Sequence, residues 1–161
     1  AESFPFWFGV AALISGTSSL LNALLVVRLG MQRIVTLALG LQIVLSGLML
    51  GLGLGELPEP YGFVFFLMWQ ASLFFQVGLV MGNLNALAME PLGHIAGMAA
   101  SVIGAVSTVM AAVLASAIGM TFNGTITPLI GAVLVLATIA FALMLLIGRV
   151  VDRQPVTEPA E

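Results

Sequence analysis

The residues best suited to bind a small molecule are polar side chains spaced along otherwise apolar runs. Trp69, Gln76 and Asn83 recur every seven residues, so they share one face of a helix. Asn22 lies in another apolar run, on a face that also carries two serines. An unpaired amide is costly in hydrocarbon, so these faces should point at protein or at a wet cavity. For Gln76 and Asn83 two roles stay open: they line a substrate cavity, or they hold helices together.

No pattern typical of a catalytic or metal site accompanies them. The chain has no cysteine and no lysine, and its single histidine is His94. Zinc-protease, serine-hydrolase and nucleotide-binding signatures are missing, which predicts that the chain is not an enzyme and uses no metal or other cofactor. The net charge is −3 and no basic patch occurs, which argues against a nucleic-acid partner.

The elements that carry these polar groups are five uncharged runs. Hydrophobic residues make up 61% of the chain and charged residues only 7%, whereas a soluble domain carries about 25% charged residues. A helix crosses the hydrocarbon core in roughly 20 residues, and each run reaches that length. The predicted fold is an all-α integral membrane segment over residues 1–149, followed by a short tail at 150–161. The expected spans are 6–27, 34–55, 61–84, 95–119 and 127–148.

Small residues on the second and fourth helices favour close helix packing. Gly47, Gly51 and Gly55 are spaced by four, a pattern that lets another backbone approach. The fourth helix carries a longer stripe of small residues, and this stripe includes Gly97, Ser101 and Gly104. Packing is the expected role of these glycines, while Ser101 is also a candidate for the cavity.

Orientation follows from the arginines. Arg28 and Arg33 flank the first gap, Arg149 and Arg153 follow the fifth helix, and the second and fourth gaps carry no basic residue. The positive-inside rule then places the N-terminus of this segment outside and the C-terminus in the cytoplasm.

Three stretches resemble a known transporter family. Residues 89–97 read MEPLGHIAG, which strongly resembles the loop entering the eleventh helix of the Bcr/CflA drug-resistance branch of the major facilitator superfamily. Residues 22–33 read NALLVVRLGMQR and resemble the basic loop between the eighth and ninth helices of that family. The opening FPFWFG at 4–9 is similar to the approach to the eighth helix. The resemblance runs essentially from end to end and would make the five spans helices eight to twelve.

The resemblance implies proton-coupled efflux of small drugs by alternating access, in the inner membrane. The partners would be the lipid bilayer, drugs and protons, and the missing N-terminal helices of the complete transporter. It implies that the first, third and fourth helices border the cavity while the second and fifth are peripheral. The substrate cavity would then include Asn22, Trp69, Gln76, Asn83 and Ser101. The cytoplasmic gate would include Arg28, Arg33, Glu90 and His94, with Glu90 paired to one of the two arginines.

A different class of function stays open. The chain could be a stand-alone five-helix scaffold or subunit without transport of its own, whose small-residue stripes are interfaces to a partner. The size of the native polypeptide would discriminate between the two readings.

Overall fold

Five long α-helices form the chain in the computed structural model, which describes residues 4–151. Arg153 and the tail from residue 152 onward lie outside the described residues. The helices are α1 (Phe4–Leu29), α2 (Met31–Gly51), α3 (Tyr61–Met89), α4 (Ala96–Met120) and α5 (Thr127–Val151). Short 3-10 helices at Leu54–Glu56 and Glu90–Ile95 join α2 to α3 and α3 to α4.

Backbone breakers set the helix ends. Gly30 separates α1 from α2 and has a φ of 78°, a conformation that favours glycine because it has no Cβ. Gly53, with a φ of 59°, follows the end of α2. Pro91 and the non-helical Leu92 (φ −109°, ψ 18°) interrupt the chain between α3 and α4. Glycine or proline therefore marks the junctions between α1 and α2, α2 and α3, and α3 and α4.

The helices are long and apolar enough to cross a membrane. By length and composition, the described residues contain four such helical stretches, the longest of which runs from Tyr61 to Met120. That stretch contains the break at Leu92, so we divide it into α3 and α4 and count five helices. The protein is thus an all-α chain with helices of the length and character that membrane spans require.

The third helix is central to the bundle. It packs along α1 on one side and along α2 on another, and α5 packs on α2. Apolar contacts in one half of the bundle are centred on Val35 of α2, Leu79 of α3 and Met144 of α5. A second cluster in the other half joins Met49, Trp69 and Ile130. These two clusters place one continuous face of α3 against α2.

The fourth helix stands apart from this packing. Ala99 is its one buried residue, and α4 meets α3 and α5 only briefly. A helix with mostly apolar side chains can remain exposed in lipid at little cost, because the acyl chains are as apolar as those side chains.

Candidate functional site: a polar stripe along the third helix

A buried hydrogen-bond network joins α2 to α3. The indole Nε1 of Trp69 donates to Ser46 Oγ at 3.0 Å, and Gln42 Nε2 donates to the same oxygen at 3.2 Å. The hydroxyl of Ser72 donates to the Trp69 carbonyl oxygen at 2.6 Å and lies 3.3 Å from Gln42 Oε1. Trp69, Gln42 and Ser46 are each at most 4% exposed. The network therefore acts as a polar contact between two helices, with its buried donors satisfied.

The helical register explains why this network forms. Gln42 and Ser46 are four residues apart, as are helix neighbours that stack on one face, so both reach the same side of α2. Trp69 and Ser72 are three residues apart and share the facing side of α3. The family resemblance implied a peripheral position for α2. In the structure α2 supplies two of the four residues of this network, Gln42 and Ser46.

A second polar contact joins α1 to α3 nearer the arginine-bearing end. Asn83 Nδ2 donates to Asn22 Oδ1 at 2.6 Å and to the Leu79 carbonyl oxygen at 2.7 Å. Asn83 is buried and Asn22 is half-buried. The structure thus brings together two residues predicted for the cavity, and it brings them together as a pair that bonds across two helices. A cavity-lining role for Asn22, Trp69 and Asn83 stays a prediction.

Gln76 lies on α3 between these two polar contacts, and its amide oxygen takes part in neither. Its Oε1 atom is buried and has no hydrogen-bond partner. The residue is seven positions from Trp69 and seven from Asn83, so all three lie on one stripe of α3 about 20 Å long. An unsatisfied buried acceptor costs about 1–3 kcal/mol. Gln76 is therefore the one residue of this stripe whose polar side chain is open to a donor from outside the described residues.

Close approach of α1 and α3 depends on Gly78, a residue that the sequence analysis did not single out. A Cβ at Gly78 would overlap Ser18 Oγ and lie 2.7 Å from the Ser15 carbonyl oxygen. Ser18 is fully buried, and its hydroxyl donates to that same carbonyl oxygen at 2.6 Å. A signal existed in the sequence, since Gly78 and Gly82 have the spacing of small residues at helix interfaces.

The glycines chosen from the sequence occupy other environments. A Cβ built at Gly47, Gly51, Gly97 or Gly104 would meet no side chain and no other helix within 4 Å. Gly55 lies in the 3-10 turn beyond α2, where a Cβ would lie 2.5 Å from Ile126 Cδ1. Within the described part of the chain, only Gly55 of these five is packed closely by a neighbouring element.

Ser101 lies on the exposed side of α4. Its hydroxyl donates to the carbonyl oxygen of Gly97 at 3.0 Å, one turn back on the same helix. Thr108 does the same with the carbonyl oxygen of Gly104 at 2.8 Å. Both hydroxyls are thus satisfied locally, as is common for serine and threonine in membrane helices. The structure does not join Ser101 to the stripe on α3.

The residues predicted for the cytoplasmic gate are all exposed. Arg28, Arg33, Glu90 and His94 lie at or beyond helix ends. Among the described residues, Glu90 forms no ion pair with Arg28 or Arg33, so the expected pairing is not made in this structure. Arg33 instead lines a groove together with Arg149, which shows that these two arginines share one end of the bundle.

Comparison with known proteins assigns no family. No protein-family model, no curated protein and no solved structure matches the chain. The class that the fold and the polar stripe define is an all-α protein whose apolar helices are long enough to span a membrane, with polar contacts buried between them.

Proposed function

We propose that the chain is part of a secondary active transporter that exports small drugs in exchange for protons by alternating access. The observation that carries the proposal is the buried, unpartnered amide oxygen of Gln76 on the central helix. A membrane helix avoids burying such a group in apolar surroundings, so its presence favours a donor that comes and goes. A drug with an N–H or O–H group, or the water that replaces it, would supply that donor.

The rest of the stripe fits a supporting role. The Trp69 network above Gln76 and the asparagine pair below it fix α3 against α2 and α1. A site held on rigid helices positions its ligand more accurately than one on loops. In the proposed mechanism Gln76 therefore meets the substrate, while its polar neighbours keep α3 in place.

The residue that carries the proton would lie outside these five helices. The five uncharged runs contain no Asp, Glu, His or Lys that could titrate inside the membrane. We place the proton-carrying acid in helices beyond this chain, which the family resemblance supplies as the N-terminal half of the transporter. Drugs, protons and those helices are the partners of the complete carrier, and the chain itself performs no catalysis.

The arginines support an inner-membrane orientation with the C-terminal end in the cytoplasm. Arg33 at the start of α2 and Arg149 at the end of α5 lie at one end of the bundle, as the positive-inside rule requires for a shared cytoplasmic face.

A scaffold function is the second candidate. The exposed surface of α4 favours it, because a helix with one buried residue in 25 leaves nearly its whole length available to a partner. In that case the amide groups of α1, α2 and α3 would serve packing alone.

Ethidium efflux from cells that express the native polypeptide tests the proposal. Gln76→Leu should lower efflux about tenfold, the equivalent of one lost hydrogen bond of about 1.4 kcal/mol. It should leave the protein level in the membrane unchanged. Gln70→Leu is the matched control, because Gln70 is a half-buried glutamine on the same helix. Equal efflux by the two variants would contradict a substrate role for Gln76, and absence of efflux by the native polypeptide would favour the scaffold.

A further inference from the structure

A groove with two arginines lies at one end of the bundle. It has a volume of about 720 Å³ and lies between the start of α2 and the end of α5, with Leu87 of α3 at its side. Arg33 and Arg149 are the charged residues that line it, and no acidic residue among the described ones does so. Both guanidinium groups belong to exposed residues, and neither is engaged by an ion pair within the described part of the chain.

The remaining walls of the groove are largely apolar. Leu37, Leu87, Met144 and Leu145 contribute to them, and Leu37 and Leu145 are 63% and 41% exposed. The groove therefore has two arginines at one end and a surface of apolar side chains that runs along α2 and α5. An anionic phospholipid has two matching parts, a negatively charged headgroup and apolar tails.

A tight contact between Gln32 of α2 and Gly148 of α5 keeps the two arginines on the same groove. A Cβ at Gly148 would lie 2.5 Å from Nε2 of Gln32, so a side chain at this position of α5 would displace the Gln32 amide. Gln32 directly precedes Arg33, and Gly148 directly precedes Arg149. The Gln32 amide also lines the groove and offers an N–H donor beside the two guanidinium groups.

We propose that this groove binds the headgroup of an anionic phospholipid, with an acyl chain lying against Leu37 and Leu145. Arginine is suited to this task because its planar guanidinium group forms paired hydrogen bonds to phosphate oxygens. The place of the groove agrees with the proposal, since both arginines lie within the terminal turns of helices long enough to span the bilayer. The head of a neighbouring lipid lies at that depth.

Native mass spectrometry of the native polypeptide in detergent tests the proposal. The probes are phosphatidylglycerol, phosphatidylcholine with the same acyl chains, and inorganic phosphate. Phosphatidylglycerol should bind at least tenfold more tightly than phosphatidylcholine. Arg33→Gln combined with Arg149→Gln should remove that preference, since each arginine near a membrane surface contributes about a factor of five toward anionic lipid. Arg28→Gln is the matched control, because Arg28 is exposed at the same end but does not line the groove.

A second variant separates the lipid from a free anion. Leu37→Trp fills the apolar part of the groove and keeps both charges, so it should weaken phosphatidylglycerol binding several-fold. Three results would each overturn the proposal: equal binding of the two lipids, an equal loss in the Arg28 variant, or displacement of the lipid by millimolar inorganic phosphate.

Discussion

The contact of Gly78 with α1 is the most sensitive point of the bundle. In Gly78→Ala the added Cβ overlaps Ser18 Oγ and stands 2.7 Å from the Ser15 carbonyl oxygen, whereas carbon contacts settle at about 3.5 Å. The serine hydroxyl cannot simply turn away, because it already bonds to that carbonyl oxygen at 2.6 Å inside a fully buried site. Relief of the contact with the Ser15 carbonyl oxygen alone requires the two helices to separate by close to 1 Å, judged from that same contact distance of about 3.5 Å.

The expected loss of folding stability is large for the addition of one methyl group. Overpacking of a tight interface costs about 1–3 kcal/mol. Loss of the Ser18 hydrogen bond adds about 1 kcal/mol, so we expect a destabilisation of about 3 kcal/mol. Gly82→Ala is the matched control, since Gly82 lies one turn further along α3 and a Cβ there meets no other residue within 4 Å. That variant should change the free energy of unfolding by less than about 1 kcal/mol, and in the stabilising direction, because alanine is the better helix former.

Unfolding by SDS titration in mixed micelles, followed by tryptophan fluorescence, measures the difference. Trp7 is a suitable reporter because its ring packs edge-on against Phe63, so it joins α1 to α3 with centroids 6.3 Å apart. Ser18→Ala in the Gly78→Ala background should recover about 1 kcal/mol, because it removes the overlapping oxygen. Equal stability of the Gly78 and Gly82 variants would refute the α1–α3 packing described above.

The remaining predictions concern the hydrogen bonds that join α3 to α2 and to α1. Ser46→Ala should destabilise the bundle by about 2 kcal/mol in the same unfolding titration, because it leaves two buried donors without an acceptor. Ser101→Ala removes a hydroxyl that bonds only to its own helix, and it should cost less than about 0.5 kcal/mol. A similar loss of stability in the Ser46 and Ser101 variants would contradict the network. A double-mutant cycle of Asn22→Ala and Asn83→Ala should give a coupling energy of about 0.6–1.7 kcal/mol, and additive losses would show that the pair contributes nothing across α1 and α3.

Hydropathy was enough to predict five helices but not where they end. The second span was expected to reach residue 55, whereas α2 ends at Gly51, before the left-handed Gly53. The third was expected to stop at residue 84, whereas α3 continues to Met89. The length needed to cross the hydrocarbon core, roughly 20 residues, predicts the buried part of a helix and carries no information about the turns that extend into the headgroup region.

The partners of the polar residues depend on which helices touch. The seven-residue spacing of Trp69, Gln76 and Asn83 indicated one stripe, and the structure contains that stripe. The spacing could not indicate that Ser46 of α2 accepts a hydrogen bond from Trp69. Apolar residues surround every face of a membrane helix, so no hydrophobic periodicity identifies the side that faces its neighbours. The spacing of Gly78 and Gly82 was a signal for close helix packing, but glycine is common in membrane helices, and the position of Ser18 is what shows that Gly78 is required.

Proton movement driven by drug is the most direct test of the proposed function. Everted membrane vesicles that contain the native polypeptide are acidified inside by respiration, and acridine orange fluorescence reports the pH gradient. Addition of ethidium should release protons and restore the fluorescence, and the release should be reduced about tenfold in Gln76→Leu and unchanged in Gln70→Leu. A gradient that ethidium leaves intact, with the native polypeptide present at normal levels, would contradict proton-coupled drug export by this protein.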